Sequence, residues 1–236
     1  DFPKDIQIQE IDKSKLKVEK REEPSADVPA PTMLANIKRA AGLIANARRP
    51  VFYGGGGLIN SGPAASEVFT NLVRYTGAPC TLTLMGLGAF PASDKQFVGM
   101  LGMHGTLEAN LAMHHADLIV CIGARFDDRI TGRLSDFCPH ALKIHLDIDP
   151  ASIDKVVRAD VPLTGDCHQI LTQLFNELKA LPMDRSLLDD WWKTIDKWRS
   201  KDCLGFTPSD TAILPQHLLS HINQKIEGKD VIVSTD

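Results

Sequence analysis

No stretch of apolar residues in this 236-residue sequence reaches the roughly 18 needed to cross a bilayer, and the opening residues lack the form of a signal peptide. Cysteine is sparse and unpatterned. Cys80, Cys121, Cys138, Cys167 and Cys203 are an odd number with no C-x-x-C among them, which argues against a disulfide scaffold or a zinc ribbon. Cys80 and Cys121 lie in apolar runs and are expected to be small buried hydrophobes, in a protein that folds in a reducing, cytoplasmic compartment. A basic excess is also missing: 26 Lys and Arg stand against 30 Asp and Glu, for a net charge of -4. That balance excludes the footprint of a dedicated nucleic-acid binder. Glycine at 17 and proline at 14 are too few for a collagen-like or low-complexity chain. What remains, 43% hydrophobic and 24% charged, is an ordinary globular composition, long enough for one large domain or one domain and part of another.

Self-contained catalytic signatures are lacking too. His104, His114, His115, His140 and His145 include no H-E-x-x-H, and no carboxylate lies at ligand spacing, so no metal site is expected. No G-x-S-x-G elbow or cysteine–histidine signature is present. Gly54–Gly57 satisfy neither G-x-G-x-x-G nor the P-loop, because Ile59 and Asn60 follow and no Gly-Lys-Ser/Thr does.

Three regions follow from the patterning. Residues 1–30 alternate charges of both signs and then carry Pro24 and Pro29, which predicts an extended linker. Residues 31–182 alternate helical and strand patterns. Thr32 is a candidate cap for a helix through Leu34, Ile37, Ala41 and Ile44. VFY at 51–53 is a strand, and a helix opens at Ser61 and Pro63 and stops at Gly77. CTLTL at 80–84, DLIVCIG at 117–123, ALKIHLDID at 141–149 and VPLTGD at 161–166 supply further strands. Helices are expected from about Gly105 to His115, near Ala151–Val156 and over Cys167–Leu181. Continuous apolar strands alternating with helices predict a doubly wound, Rossmann-like α/β domain, a parallel sheet with helices on both faces. Residues 183–236 carry all three tryptophans on one expected helix, PQHLLSHINQKI on another, and the apolar VIVSTD as the first strand of a further unit. The start on Asp1 and the finish on VIVSTD are expected to be cuts at domain boundaries.

In such a sheet, ligands bind at the carboxyl ends of the strands. There this chain places GGGG after VFY, MGLG after CTLTL, GARFDDR after DLIVCI and DID after ALKIHL. A tight βα turn needs glycine for backbone reasons alone, but four such loops on one rim suit a long, phosphate-bearing ligand. Arg125 and Arg129 flank Asp127 and Asp128. Their guanidinium forks suit a phosphate or a carboxylate; a self-neutralising surface turn is the alternative, and spacing alone favours it. Asp147 is either an acceptor for ribose or ribityl hydroxyls or a cap. His104, between Met103 and Gly105, is placed to touch a ligand.

VFYGGGGLIN, TLMGLGAFP, MLGMHGTLEANLAMHHADLIVCIGARFDDRITG and HLDIDPASIDKVVRADVPLTGD together cover nearly all of residues 50–166. In these segments the sequence closely resembles the catalytic (large) subunit of acetolactate synthase, or acetohydroxyacid synthase, a thiamine-diphosphate-dependent family. LGMHGT with GARFDDR is the specific part of the match. The unbroken Arg125-Phe126-Asp127-Asp128-Arg129 argues against glyoxylate carboligase, pyruvate oxidase and the FAD-free catabolic acetolactate synthases. A non-catalytic nucleotide-binding module is the alternative from another class.

The resemblance implies the central, FAD-binding domain of a three-domain enzyme, with residues 1–30 leaving the pyrimidine-binding domain and residues 183–236 leading into the diphosphate-binding domain. It implies that Gly55, Gly56 and Gly57 approach the dinucleotide, that Thr83, Leu84 and Met85 line the flavin side, and that Leu101, Gly102, Met103 and His104 form the next loop. Gly123, Ala124, Arg125, Asp127, Arg129 and Ile130 follow, with Asp147, Ile148, Ser152, Asp166 and Cys167 around the adenosine end. It reverses the balance on the charged loop: Arg125 becomes a cofactor contact. Arg129 holds the carboxylate of the second 2-keto acid, and Met103 shapes that acceptor pocket. The implied reaction condenses two pyruvates, or pyruvate and 2-ketobutyrate, in branched-chain amino-acid biosynthesis. It implies thiamine diphosphate and Mg²⁺ held outside this chain, a homodimer or tetramer, and a small regulatory subunit. The activating glutamate and the metal-binding G-D-G…N are not in this sequence, so the chain alone is expected to be inactive.

Overall fold

The structure, a computed structural model, describes Glu10 and residues 31–233. The expected linker over 1–30 therefore lies outside the described residues apart from Glu10, as do residues 234–236.

The strands are β1 (Pro50–Gly54), β2 (Cys80–Leu82), β3 (Phe97–Met100), β4 (Leu118–Ile122), β5 (Leu142–Asp147) and β6 (Val161–Thr164). They form one six-stranded sheet in the order β3-β2-β1-β4-β5-β6, and every pairing is parallel. The helices are α1 (Pro31–Asn46), α2 (Gly56–Asn60), α3 (Pro63–Thr76), α4 (Leu107–His115), α5 (Asp128–Thr131), α6 (Cys167–Lys179), α7 (Asp189–Arg199) and α8 (Pro215–Ile226). The expected doubly wound α/β fold is what the chain adopts.

Both faces of the sheet are buried, and strand alternation assigns each residue to one of them. Phe52, Val120, Ile122, Ile144 and Leu146 face a core closed by α1, α3 and α6. Val51, Tyr53, Ile119 and Cys121 face the other, closed by α4 and α7. Over β4 and β5 this second face carries no long crossover helix among the described residues. Residues 124–141 lie across it as a strap, anchored by buried Ala124, Phe126, Cys138 and Ala141, with Phe137 packed alongside.

Several local expectations shift. Thr32 lies inside α1 and is not its cap. Gly62, at φ 95°, holds the cap position of α3, and Ser61 Oγ instead bonds Asp166. CTLTL yields strand only to Leu82, because Thr83 caps a 3₁₀ turn at 84–86. The expected helix near Ala151–Val156 is a 3₁₀ turn over Pro150–Ser152. Val231–Val233 carry no strand.

Residues 183–199, where the tryptophan-bearing helix is expected, pack onto the sheet. Trp191 and Ile195 are buried in the second core, and Leu188 in the first. Trp191 Nε1 donates to the Pro50 carbonyl (3.2 Å) and Trp192 Nε1 to that of Gly77 (2.9 Å). Arg185 and Arg199 bond the carbonyls of Tyr75 and Phe97. By contrast, α8 buries no residue, and Leu218, Leu219 and Ile222 on it are exposed.

Candidate functional site

In the strand order observed, connections leave β1 and β4 in opposite directions, which opens a crevice at their carboxyl ends. The loops there nest through their backbones. Gly55 N–H donates to the Ile122 carbonyl and Gly57 N–H to that of Gly123, each at 2.9 Å. A Cβ on Gly55 would lie 2.6 Å from the Ala124 Cβ, and one on Gly86 the same distance from the Gly54 carbonyl oxygen. Gly56 has more room: its Cβ position lies 3.2 Å from Met85 Cβ. These glycines bring the loops after β1, β2 and β4 to the same place.

The charged loop alternates. Ala124 and Phe126 point in, while Arg125, Asp127, Asp128 and Arg129 are exposed. Phe126 has φ 53°, a left-handed backbone unusual for a bulky residue. Its ring packs among Tyr53, Phe137 and His145 at centroid separations of 5.9, 5.9 and 5.0 Å. The Asp127 carboxylate accepts from the Arg129 amide at 3.0 Å and caps α5. That bond, with Asp128 and the charges of Arg125 and Arg129, holds its carboxyl below the usual carboxylate range. Asp128 and Arg129 form a loose ion pair at 3.9 Å on largely exposed side chains, and Arg125 has no ion pair among the described residues. The turn is thus partly self-neutralising: Asp127 caps a helix and feels both arginines, while Arg125 makes no ion pair or side-chain hydrogen bond among the described residues.

The loop after β3 joins this arrangement. Met103 N–H donates to the Arg129 carbonyl at 3.2 Å, and Gly102, at φ 107°, approaches the Arg129 carbonyl and Ile130. Asn110 holds Gly102 through bonds to both its amide and its carbonyl. Met103 and Arg129, expected to act on the same acceptor, are therefore on touching loops. Met103 and His104 are exposed there, and Leu84, Met85 and Ile148 add exposed apolar side chains to the same rim.

Other expected contacts are committed elsewhere. The Thr83 hydroxyl accepts from the Gly86 amide (3.0 Å). Asp147 Oδ1 accepts from the Asp149 amide (2.9 Å), an Asx turn that leaves the second oxygen free of any bond among the described residues. Asp166 caps α6 through the Gln169 amide and takes the Ser61 hydroxyl at 2.6 Å. Cys167 is buried in the core, which pushes its thiol up to about 12. Leu101 and Ala124 are also buried, and Ser152 ends the 3₁₀ turn after β5.

Residue reading missed three participants, all tied to the strap. Phe126 was hidden by its charged neighbours. Lys143 and His145 stand with Asp147 on one face of β5, and all three are buried. The K-x-H-x-D alternation in KIHLD carried that signal, since a strand buried on both faces otherwise reads as continuously apolar.

Among the described residues no group of three or more His, Cys, Asp or Glu side chains is placed to hold a metal ion, and no helix is long and apolar enough to cross a membrane.

A doubly wound parallel sheet with a glycine-nested crevice at its carboxyl edge defines an α/β domain of the class that places ligand sites at that edge. More narrowly, the chain belongs to the family described as the thiamine pyrophosphate enzyme central domain, which it matches over residues 37–174. It is 43% identical over 204 residues to the acetolactate synthase isozyme 3 large subunit of Escherichia coli K12, covering 85% of this chain and 35% of that protein. The acetolactate synthase large subunit of Buchnera aphidicola subsp. Acyrthosiphon pisum (strain APS) is 43% identical over 201 residues, with the same two shares. The acetolactate synthase of Mycobacterium leprae is 41% identical over 200 residues, covering 84% of this chain and 32% of that protein. The chain spans about a third of the length of these relatives.

Proposed function

We propose that this chain is the central domain of an acetolactate synthase large subunit and that its rim binds FAD. The observation that carries the reading is the uncommitted Arg125, set on glycine-nested loops beside exposed Leu84, Met85 and Met103. A flat apolar ring system with an anionic diphosphate asks for those two kinds of contact at once.

In this reading the Arg125 guanidinium takes the diphosphate, beside the glycine-nested backbone of the crevice. Leu84, Met85 and Met103 cover the flavin, and Asp147 accepts from a sugar hydroxyl. When bound, the flavin undergoes no net redox change in the condensation and serves the architecture. Arg129 holds the carboxylate of the second 2-keto acid, and the Met103–Arg129 backbone bond fixes its pocket wall. Thiamine diphosphate and Mg²⁺ are held by other domains. The whole enzyme is cytoplasmic and works as a homodimer or tetramer with a small regulatory subunit. It joins two pyruvates, or pyruvate and 2-ketobutyrate.

Two measurements test this. Titration of the purified chain with FAD should quench flavin fluorescence saturably; a flat titration overturns the cofactor assignment. The full-length product of the encoding gene should form acetolactate from pyruvate with thiamine diphosphate and Mg²⁺, whereas the present chain should not. Failure of the full-length product overturns the enzyme assignment.

A further inference from the structure

The strap over residues 124–141 is held from below by the polar face of β5. Lys143 Nζ donates to the carbonyls of Cys138 (3.1 Å) and Ala141 (2.8 Å), near the end of the strap. At its start, the Ala124 carbonyl takes two donors: His145 Nε2 at 2.8 Å and Cys121 Sγ at 3.2 Å. His145 is 0% exposed, and its Nδ1 is the one buried side-chain nitrogen or oxygen without a hydrogen-bond partner among the described residues.

These bonds constrain the proton and the loop together. A carbonyl only accepts, so Nε2 carries a hydrogen. Adding a second proton would place an N–H at Nδ1 where no acceptor waits, in a site walled by the Phe126 ring. The titratable groups around the imidazole are Cys121 from β4, Lys143 and Asp147 on the same face of β5, and Asp154 from the segment after β5; its β6 neighbour is Pro162, which does not titrate. Burial outweighs the pull of the two aspartates and the Ala124 bond, and the imidazole pKa lies below its ordinary value.

The Ala124–Arg125 peptide is trans, so with its oxygen drawn in towards β5 its N–H points the opposite way. That Arg125 amide has no partner among the described residues, and the Arg125 side chain is exposed beside it. Buried Phe126 then pins the next residue down, so Arg125 is held outward between two inward anchors.

We propose that His145, as the neutral Nε2–H imidazole, is a positioning residue for the candidate ligand rim: by holding the Ala124 carbonyl inward it turns both the amide and the guanidinium of Arg125 outward as anion donors. That these donors serve FAD rests on the function proposed above; the latch itself does not.

The experiment uses the whole chain as wild type, His145→Gln, which keeps an amide donor near the Nε2 position, and His145→Leu, which removes it. Imidazole ¹⁵N shifts of the wild type should show the neutral Nε2–H tautomer from pH 6 to 8. In H145L the amides of Ile130 and Thr131, which bond the Asp127 carbonyl, should exchange at least ~10-fold faster, while those of β4 keep their protection and H145Q stays near wild type. FAD affinity should fall by ~10-fold or more in H145L and recover in H145Q. A charged or Nδ1–H imidazole in the wild type overturns the proposal. So does an H145L chain with unchanged loop exchange, or one whose exchange rises equally in β4. If H145L does not fold, the tautomer and H145Q decide. A wild type that ignores FAD refutes the assignment of the rim, while the shifts and the exchange still decide the latch.

Discussion

Gly57 and Gly123 share one backbone contact: the Gly57 amide donates to the Gly123 carbonyl at 2.9 Å, and a Cβ on Gly57 would stop 2.6 Å from the Gly123 Cα. The loop after β1 and the charged loop after β4 therefore move only together. Gly57→Ala is expected to cost about 1–3 kcal/mol, since backbone cannot step aside as a side chain does. Gly123→Ala should cost about 1 kcal/mol more, because its φ of 62° disfavours any Cβ. Gly42→Ala, inside α1 with open space around it, should instead stabilise by up to about 1 kcal/mol. Urea unfolding of the three variants checks the ranking, and an undisturbed G57A chain would refute the nested-loop account.

The chain's regular parts were legible because each has one strong local cause. The uninterrupted apolar run of β4 and the glycine stop of α3 at Gly77 need no tertiary information. What was missed depends on neighbours. β3 is four residues long, contains Gly99 at φ 97°, and pairs with β2 through a register shift, so no periodicity announces it. The packing of α7 became visible only when Pro50 and Gly77 supplied carbonyls for its two indoles. Among the site residues, Arg129 and Met103 could be read as a pair through the family resemblance alone; no sequence spacing reveals that their loops touch.

Phe126 offers a test in which the usual order of substitutions reverses. Removing its ring should cost about 3–5 kcal/mol with either small replacement, as the contacts to Tyr53, Phe137 and His145 vanish. In an ordinary buried position glycine is then the worse choice. At φ 53° the left-handed penalty falls on alanine alone, so F126G should match or exceed F126A by about 1 kcal/mol. Parallel denaturant curves that rank alanine clearly above glycine would contradict this backbone.

Shortening the chain to end at residue 182 should destabilise what remains. The cut removes buried Leu188, Trp191 and Ile195 and leaves the Pro50 and Gly77 carbonyls without their indole donors. Trp191→Ala alone is expected to cost about 3–5 kcal/mol. Trp191→Phe, which keeps most of the area but drops the bond to Pro50, should cost about 1–2 kcal/mol. Thermal melts would show it; a truncated chain melting with the full one would mean that α7 is an ornament of the fold.

Arg125 separates binding from stability. Its side chain is exposed and makes no ion pair among the described residues, so Arg125→Ala should move the unfolding free energy by no more than about 0.5 kcal/mol. FAD affinity should nevertheless drop ~10- to 100-fold, the scale of a hydrogen bond to a charged group. Arg125→Lys should fall between, because an ammonium keeps the charge and loses the fork. Flavin fluorescence titrations decide it, and equal affinity in all three chains would remove Arg125 from the rim's donors.

Acid should weaken the fold beginning in the range where histidine titrates. Burial lowers the pKa of His145, and burial with the charges of His114 and Arg49 lowers that of His115. As pH falls through the ordinary value of 6.5, the unfolded chain takes up protons that the folded chain refuses, so stability declines until the folded values are passed. Above 6.5 both states are neutral at these sites and contribute no slope. His145→Gln cannot titrate and should flatten the decline between pH 7 and 5, with the His115 share remaining. If wild type and H145Q lose stability in parallel over that range, His145 titrates alike in the folded and unfolded chains, and burial does not keep its imidazole neutral.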